Sequence, residues 1–570
     1  MNEQNLPVKS SVPDLSTGIT ALDEILQMLI PGDNLVWQIN SVDDYRPFVR
    51  AFAEKAVSQG KRLIYFRFAE HESLLPDSRD YKVHHIDPTM GFETFTIEIR
   101  RVIQREKNNA WYVFDCLSDL PVHWYSDLML GNFFVLICPY ILQMKSLAYF
   151  ALMLNRHSIS VAAQIRKTTQ ILLNIFKYQG DLYIQPLKVD QRRSPTMYLP
   201  HRIKNGQLIP VTDSATIAKV ASILANSDIG NSSRVLDVWE RTFLSAQRMV
   251  DEMKHSDLPG EIYQLIFKKL LKMVFFQDEK IQLMAEQFLH LEDLLGIKKR
   301  LIGTGRIGGK SIGMVLSRAV LFKKDARWQN LLEIHDSFYI GSDVYYTFIV
   351  QNGCWDDRQK QRDEATFLSD IDETREKILN GTFPEFIIEQ FVEMLDYFGQ
   401  SPIIVRSSSL LEDNFGNAFS GKYESIFCVN QGTREERLEA FLKAVRQVFA
   451  STMSKEALMY RSQRHLLNSD EQMALLVQRV SGEVHGSMFA PHVAGVGYSF
   501  NPYAWSSKID PAAGVLRLVC GLGTRAVERH DDDYTRIVAL NTPGLLPEKS
   551  LNAISRYSQS HVDILDLQEN

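Results

Sequence analysis

The chain has 570 residues, too many for one ordinary hydrophobic core, and about three domains are expected. Hydrophobic residues make up 45% and charged residues 23%, which excludes a disordered or fibrous chain. A net charge of −6 with a pI near 6.2 gives no general attraction to nucleic acid or to an anionic membrane, so neither is expected as a partner. Cys116, Cys138, Cys354, Cys428 and Cys520 are widely spaced and form no CxxC pair. They read as reduced, mostly buried thiols of a cytoplasmic protein and supply no zinc site. The opening MNEQNLPVKSSVPD has no basic segment followed by an apolar one, so no secretory signal is predicted.

Residues 15 to about 225 alternate strand-like and helix-like segments. Asn34–Ile39 is a short apolar run, Phe48–Ser58 is amphipathic, and Leu63–Phe68 is a second strand. Trp111–Phe114 and Phe133–Ile137 complete a set of four strands, which predicts a parallel sheet covered on both faces. The most apolar stretch, Phe133–Leu154, is broken by Pro139 and Lys145. It divides into a short strand followed by a helix, both buried, and is not a membrane span. Asp181–Val189 is strand material at the end of this domain. Lys188, Arg192, Arg193, His201 and Arg202 cluster around Pro195 and Pro200 and read as a solvated basic face.

From about Ser233 to Lys299 the pattern turns to long helices. Val238–Met253 and Ile281–Leu295 place apolar residues three and four apart, and Pro259-Gly260 marks a turn. A third region begins near Leu301 and carries helices, glycine-rich loops and strands such as Met473–Val480. The expected organisation is an α/β and α+β multidomain chain: residues 1–225, a helical connector over 226–299, and residues 300–570.

Leu15–Leu26, LSTGITALDEIL, resembles the opening of RecA/KaiC-type ATPase domains, which implies a RecA-like parallel sheet. In that family the first strand leads into a phosphate loop. Here it leads into Ser41-Val42-Asp43-Asp44-Tyr45-Arg46-Pro47, without glycine or lysine. Backbone amides cannot wrap a phosphate there, and two carboxylates would repel one. Asp115 follows a strand where a metal-binding acid would be expected; a structural or capping role is preferred.

The third region carries the phosphate chemistry. Gly303, Gly305, Gly308 and Gly309 precede Lys310, and a helical pattern follows. A glycine-rich turn feeding a helix N-terminus offers amides and a partial positive charge to an anion; the other reading is that these glycines only permit tight packing. Arg406 follows Ile403-Ile404-Val405 and precedes Ser407, Ser408 and Ser409. A guanidinium fork at a strand end suits phosphate oxygens, or it pairs with Glu412 or Asp413. Phe419-Ser420-Gly421-Lys422 is suited to closing over a nucleotide.

GRIGGKSIGM, IIVRSSSLLEDNFGNAFSGKYESIF, LLVQRV and CGLGTRAV, in that order, resemble the ATP-binding domain of the phosphoenolpyruvate synthase and pyruvate phosphate dikinase family over about residues 290–545. The resemblance implies an ATP-grasp-like fold that binds ATP with Mg²⁺. It implies that Lys310 and Arg406 act on the phosphates, with Gly308, Gly309, Ser407, Ser420 and Gly421 around them. It also implies that Gln478 lies near the adenine and that the Gly521-Leu522-Gly523 turn approaches the ligand. The family often follows that turn with Glu; here Thr524 and Arg525 follow. Its metal-binding acids have no clear counterpart. Asp531-Asp532-Asp533 is the nearest acidic cluster and is preferred as a solvated loop, so the metal ligands are unassigned.

None of the fourteen histidines has the T-[SC]-H-A context of the family's phosphocarrier. The last residues, Val562–Asn570, read as the middle of a sheet. The expectation is either a fragment of a longer synthase-like protein or a shortened paralogue. The acceptor histidine is then expected from another polypeptide or from a lost segment, a separate phosphohistidine- and pyruvate-binding polypeptide is an expected partner, and a homo-oligomer is left open. The function expected is an ATP-binding, phosphotransferase-like protein; the alternative is a non-catalytic regulator that senses nucleotide or binds a partner.

Overall fold

The computed structural model describes residues 15–220, 236–253, 260–275, 278–334, 336–409, 411, 421–527 and 533–569. These fall into two compact units. The first joins Met1–Arg306 with Gly341–Trp355 and Asn468–Gln472; the second joins Ile307–Ile340, Asp356–Leu467 and Met473–Asn570.

In the first unit the strands are β1 (Asn34–Ile39), β2 (Leu63–Arg67), β3 (Lys82–His85), β4 (Trp111–Cys116), β5 (Leu147–Met153), β6 (Ile171–Tyr178), β7 (Asp181–Val189), β8 (His201–Lys204) and β9 (Gln207–Pro210). They form one sheet in the order β3-β2-β4-β5-β1-β6-β7-β8-β9. Pairing is parallel from β3 to β6 and antiparallel from β6 to β9. Alternate residues feed two cores, because successive side chains on a strand point to opposite faces. Trp37, Trp111 and Tyr149 pack against Phe48 and Phe52 of the helix Val42–Ser58. On the other face Phe66, Phe114 and Phe150 stack in sequence and meet Phe134.

Phe134 corrects one expectation. Phe133–Ile137 is not a strand; it lies inside the helix Asp127–Gln143, with Pro139 within it. The strand follows it, at Leu147–Met153, where a helix was expected. The segment is apolar nearly all round, so it shows no amphipathic period, and length then decides between strand and helix. Seventeen residues suit a helix.

The basic face is corrected in part: Arg193 is exposed and the Arg202 side chain is 38% exposed, as a solvated face requires, but the other three residues are engaged or buried. The Arg192 side chain is 7% exposed and forks onto Asp33, at 2.8 and 3.0 Å. Lys188 donates to the carbonyls of Arg166 and Lys167, at 3.1 and 3.2 Å. It thereby meets the negative end of the helix Ile159–Thr168. His201 is buried, and burial lowers its pKa.

The helices Val238–Met253, Gly260–Val274, Glu279–Phe288 and Leu291–Lys298 follow. Ile281–Leu295 is thus two helices rather than one. His290 caps the second, and its backbone N–H donates to Asp293 at 2.8 Å. Pro259 lies outside the described residues. A two-residue strand, β10 (Leu301–Ile302), comes next.

The second unit is built on β11 (Ser337–Ile340), β12 (Ile403–Ser409), β13 (Ser425–Cys428) and β14 (Met473–Arg479). They run antiparallel in the order β11-β14-β12-β13. Two three-stranded sheets accompany them. One comprises β15 (Glu483–His485), β16 (Met488–Ala490) and, later in the chain, Leu565–Asp566; the other comprises β17 (Ala494–Tyr498), β18 (Val515–Val519) and β19 (Arg536–Ala539). The described part of the last segment, residues 562–569, is therefore not the middle of a sheet. Among the described residues of this segment Leu565–Asp566 pairs, at an edge against Met488 and Phe489, and Leu567 N–H donates to Ser487 O at 2.7 Å.

Candidate functional site

In the second unit the GGK turn and the RSSS strand are stitched together. Gly308 caps the helix Gly309–Lys324 with φ of 77°. A Cβ on it would lie 1.5 Å from the carbonyl oxygen of Ser408, so only glycine fits. Ser408 Oγ donates to Ile307 O at 2.9 Å and accepts from the Ser311 N–H at 3.2 Å. Lys310 Nζ donates to Ser407 Oγ at 3.0 Å.

Arg406 Nη1 donates to Gln478 Oε1 at 3.2 Å. The contact is diagonal, because Gln478 pairs with Ile404 and Arg406 with Leu476. The amide of Gln478 turns its other end to Ser337 Oγ at 3.3 Å. Lys310 and Arg406 are thus engaged at consecutive positions of β12. Alternation puts Ser408 on the same face of β12 as Arg406, and Ser408 meets Ser311 of the helix that also carries Lys310. Gly308→Ala combines a left-handed backbone with a clash against a strand carbonyl. It should destabilise the second unit by about 2–4 kcal/mol in a denaturant titration.

The remaining expected site residues are distributed as follows. Gly309 opens the helix. Gly421 has φ of 76°, and a Cβ on it would meet nothing within 4 Å among the described residues. Ser420, Glu412, Asp413 and Phe419 lie outside the described residues. Gly521 has φ of 81°, and a Cβ there would lie 2.5 Å from Val562 Cγ1 and 2.6 Å from Asp563 O. Packing on that segment alone accounts for this glycine, and Gly523 has only ordinary contact with Ala494 at 3.5 Å.

Asp531 and Asp532 lie outside the described residues. Asp533 accepts from the Ser560 N–H at 2.7 Å and from Arg525 at 3.1 Å. Its side chain is 4% exposed. A carboxylate so occupied does not fit as a Mg²⁺ ligand, and it is not a solvated loop residue either.

The first unit takes the other half of the glycine-rich run. Thr304 N–H and Oγ1 donate to Asp343 Oδ2 at 2.8 and 2.6 Å, and Ser126 Oγ donates at 2.8 Å. A Cβ on Gly303 would meet Val344 Cγ2 at 2.6 Å and Asp343 Oδ1 at 2.9 Å. Gly303 therefore permits tight packing around a carboxyl group that the motif reading did not single out. Burial raises the pKa of Asp343 to about 6.

A raised carboxyl pKa favours the folded state when protonated. That contribution is complete below the ordinary value of 3.8 and is lost as pH rises through about 6. Asp343→Asn should remove the loss. Relative to wild type, the variant should gain about 2–3 kcal/mol between pH 4 and pH 7, read from paired denaturation curves.

Asp115 is fully buried and accepts from the Phe68 and Ala69 N–H groups, both at 2.9 Å, and from Tyr65 and Arg67. Its lone pairs are committed to structure. Ser118 Oγ lies 2.7 Å from His157 Nε2, and His157 Nδ1 lies 2.6 Å from Asp127 Oδ1. The order of groups is that of a nucleophilic triad. Here, however, all three are buried and Ser118 Oγ accepts the Met153 N–H at 2.8 Å, so the chain ties loops together. A cavity of about 400 Å³ in the same unit is lined by Trp124, Arg306, Asp343 and Tyr346. Burial lowers the pKa of Arg306.

Among the described residues no helix is long and apolar enough to cross a membrane. No curated protein matches the chain. Residues 304–569 match the family of the pyruvate phosphate dikinase AMP/ATP-binding domain, and that similarity implies ATP binding with a phosphotransferase-like role for this part of the chain.

Proposed function

We propose that residues 300–570 bind ATP as an ATP-grasp-like domain and act as the nucleotide half of a phosphotransfer reaction like that of phosphoenolpyruvate synthase. Lys310 and Arg406 hold the phosphates, with Gly308, Gly309, Ser407, Ser420 and Gly421 around them. Gln478 lies toward the base, and the Gly521–Gly523 turn closes the site. The observation that carries this reading is the direct stitching of the GGK turn to the RSSS strand. It fixes two cations within one residue of each other along β12. Such charges stabilise a transferring phosphoryl group, whose catalysis is mostly positioning and electrostatics. Mg²⁺ enters with ATP as its complex. In this reading the acceptor histidine and the pyruvate site come from outside these 570 residues, on another polypeptide or on a further segment.

The first unit, in this reading, is a RecA/KaiC-like domain of residues 1–225 that no longer binds phosphate, joined by a connector over 226–299. Ser41, two residues after the first strand, caps the next helix and accepts from the Asp43 N–H, where a phosphate loop would stand. A cytoplasmic location follows from the reduced cysteines.

A second reading, a non-catalytic nucleotide sensor, is favoured by the cavity holding the desolvated Arg306. Cavities of this size suit small molecules. Calorimetry of the full chain with Mg·ATP should show one binding event. Absence of any heat or competition at millimolar nucleotide would contradict both readings. Release of AMP and phosphate on adding pyruvate and a histidine-bearing partner would favour the first.

A further inference from the structure

The hairpin of β15 and β16 carries a cluster unrelated to nucleotide chemistry. Glu483 and His485 are two apart on β15, so their side chains share one face. Glu483 pairs with Ala490 and His485 with Met488 across the hairpin. His492 lies two residues beyond Ala490 and returns to that same face. The turn between the strands is Gly486-Ser487, with Gly486 at φ of 67°, as a two-residue hairpin loop requires.

One ligand atom from each of Glu483, His485 and His492 lies within 4.8 Å of the others. His492 Nε2 is 3.9 Å from Glu483 Oε2, and the two imidazole rings are 5.7 Å apart at 77°. All three residues are exposed. No hydrogen bond among the described residues occupies their ligand atoms.

We propose that Glu483, His485 and His492 form a binding site for a borderline transition-metal ion of the Zn²⁺ class. Two imidazoles and a carboxylate are the donor set that such ions take, and with three protein ligands a tetrahedral ion keeps one open position. Metal–nitrogen bonds of about 2.0–2.1 Å set neighbouring ligand atoms about 3.3 Å apart in a tetrahedron. The observed separations therefore need closing by about an ångström. Exposed side chains can do that by rotating without moving the hairpin backbone. The hard, oxygen-preferring Mg²⁺ is excluded by the same donor set. Binding would tie the segment after β16 back to β15 and stiffen the hairpin. The site stands independently of the ATP reading.

The test is calorimetric titration of the full chain with Zn²⁺ and, separately, Mg²⁺, for wild type, Glu483→Gln, His485→Ala, His492→Ala and the distant control His561→Ala. One Zn²⁺ site should be present in wild type and in the control. It should weaken at least about tenfold in each cluster variant, since even changing a group behind a ligand costs that much. Mg²⁺ should give no competing heat. Circular dichroism of the metal-free variants should match wild type, which separates loss of ligands from loss of fold. Zn²⁺ affinity unchanged in the three cluster variants would overturn the proposal. So would equal loss in the His561→Ala control.

Discussion

Arg192→Ala is expected to destabilise the first unit by about 3–5 kcal/mol, a large share of a domain's net stability. The guanidinium forks onto Asp33, which is fully buried. A further bond runs from Arg192 Nη1 to Met28 O at 2.6 Å. Burial already pushes the pKa of Asp33 up, and Arg192 is the leading group holding it down. Removing the arginine leaves a carboxylate with no countercharge in the protein interior, and desolvation then dominates. The penalty should shrink as pH falls, because protonating Asp33 removes the uncompensated charge. The double variant Asp33→Asn with Arg192→Met should recover much of the loss, since replacing both members of the pair by uncharged groups leaves no unpaired charge in the interior. Urea titrations of wild type and the two variants decide the matter; a single-variant loss below about 1 kcal/mol would mean the pair is solvated in solution.

The second large effect is on nucleotide affinity. Lys310→Ala and Arg406→Ala should each weaken Mg·ATP binding about 10- to 100-fold, the worth of one charge-assisted hydrogen bond or two. Arg406→Lys should recover little, because a point charge does not replace a planar fork. That variant would also lose the geometry by which Arg406 reaches Gln478. Gln478→Leu should act differently. It removes the partner of Arg406 and the bond to Ser337 without removing a charge. A loss of about tenfold or less is expected, measured in the same titration.

Much of this architecture was legible in the sequence where a segment had a single reading. The strands at Asn34–Ile39, Leu63–Arg67 and Trp111–Cys116 are short, apolar and bounded by turn residues, and the second unit's β14 is equally clear. Asp127–Gln143 was misread because a helix that is apolar nearly all round has no polar face to show its period. The basic cluster failed for another reason. Charge along the chain does not reveal that Asp33, more than 150 residues from Arg192, will be brought beside it.

The glycine-rich run illustrates a finer limit. Its motif announced phosphate chemistry as one loop. The structure divides the work: Gly303 makes room for Asp343, while Gly308 makes room for Ser408. Both are needs for close packing, and no spacing rule separates them from ligand approach. The serine clamp of Ser311 and Ser408 had no signal beyond the hydroxyl-rich composition of β12.

The most direct test of the ATP reading is a calorimetric titration of Mg·ATP into the full chain and into the Lys310→Ala, Arg406→Ala double variant, with folding of both checked by circular dichroism. The account predicts one site in the wild-type chain and a loss of about 10²- to 10⁴-fold in the double variant. Equal affinity in the two proteins would contradict it.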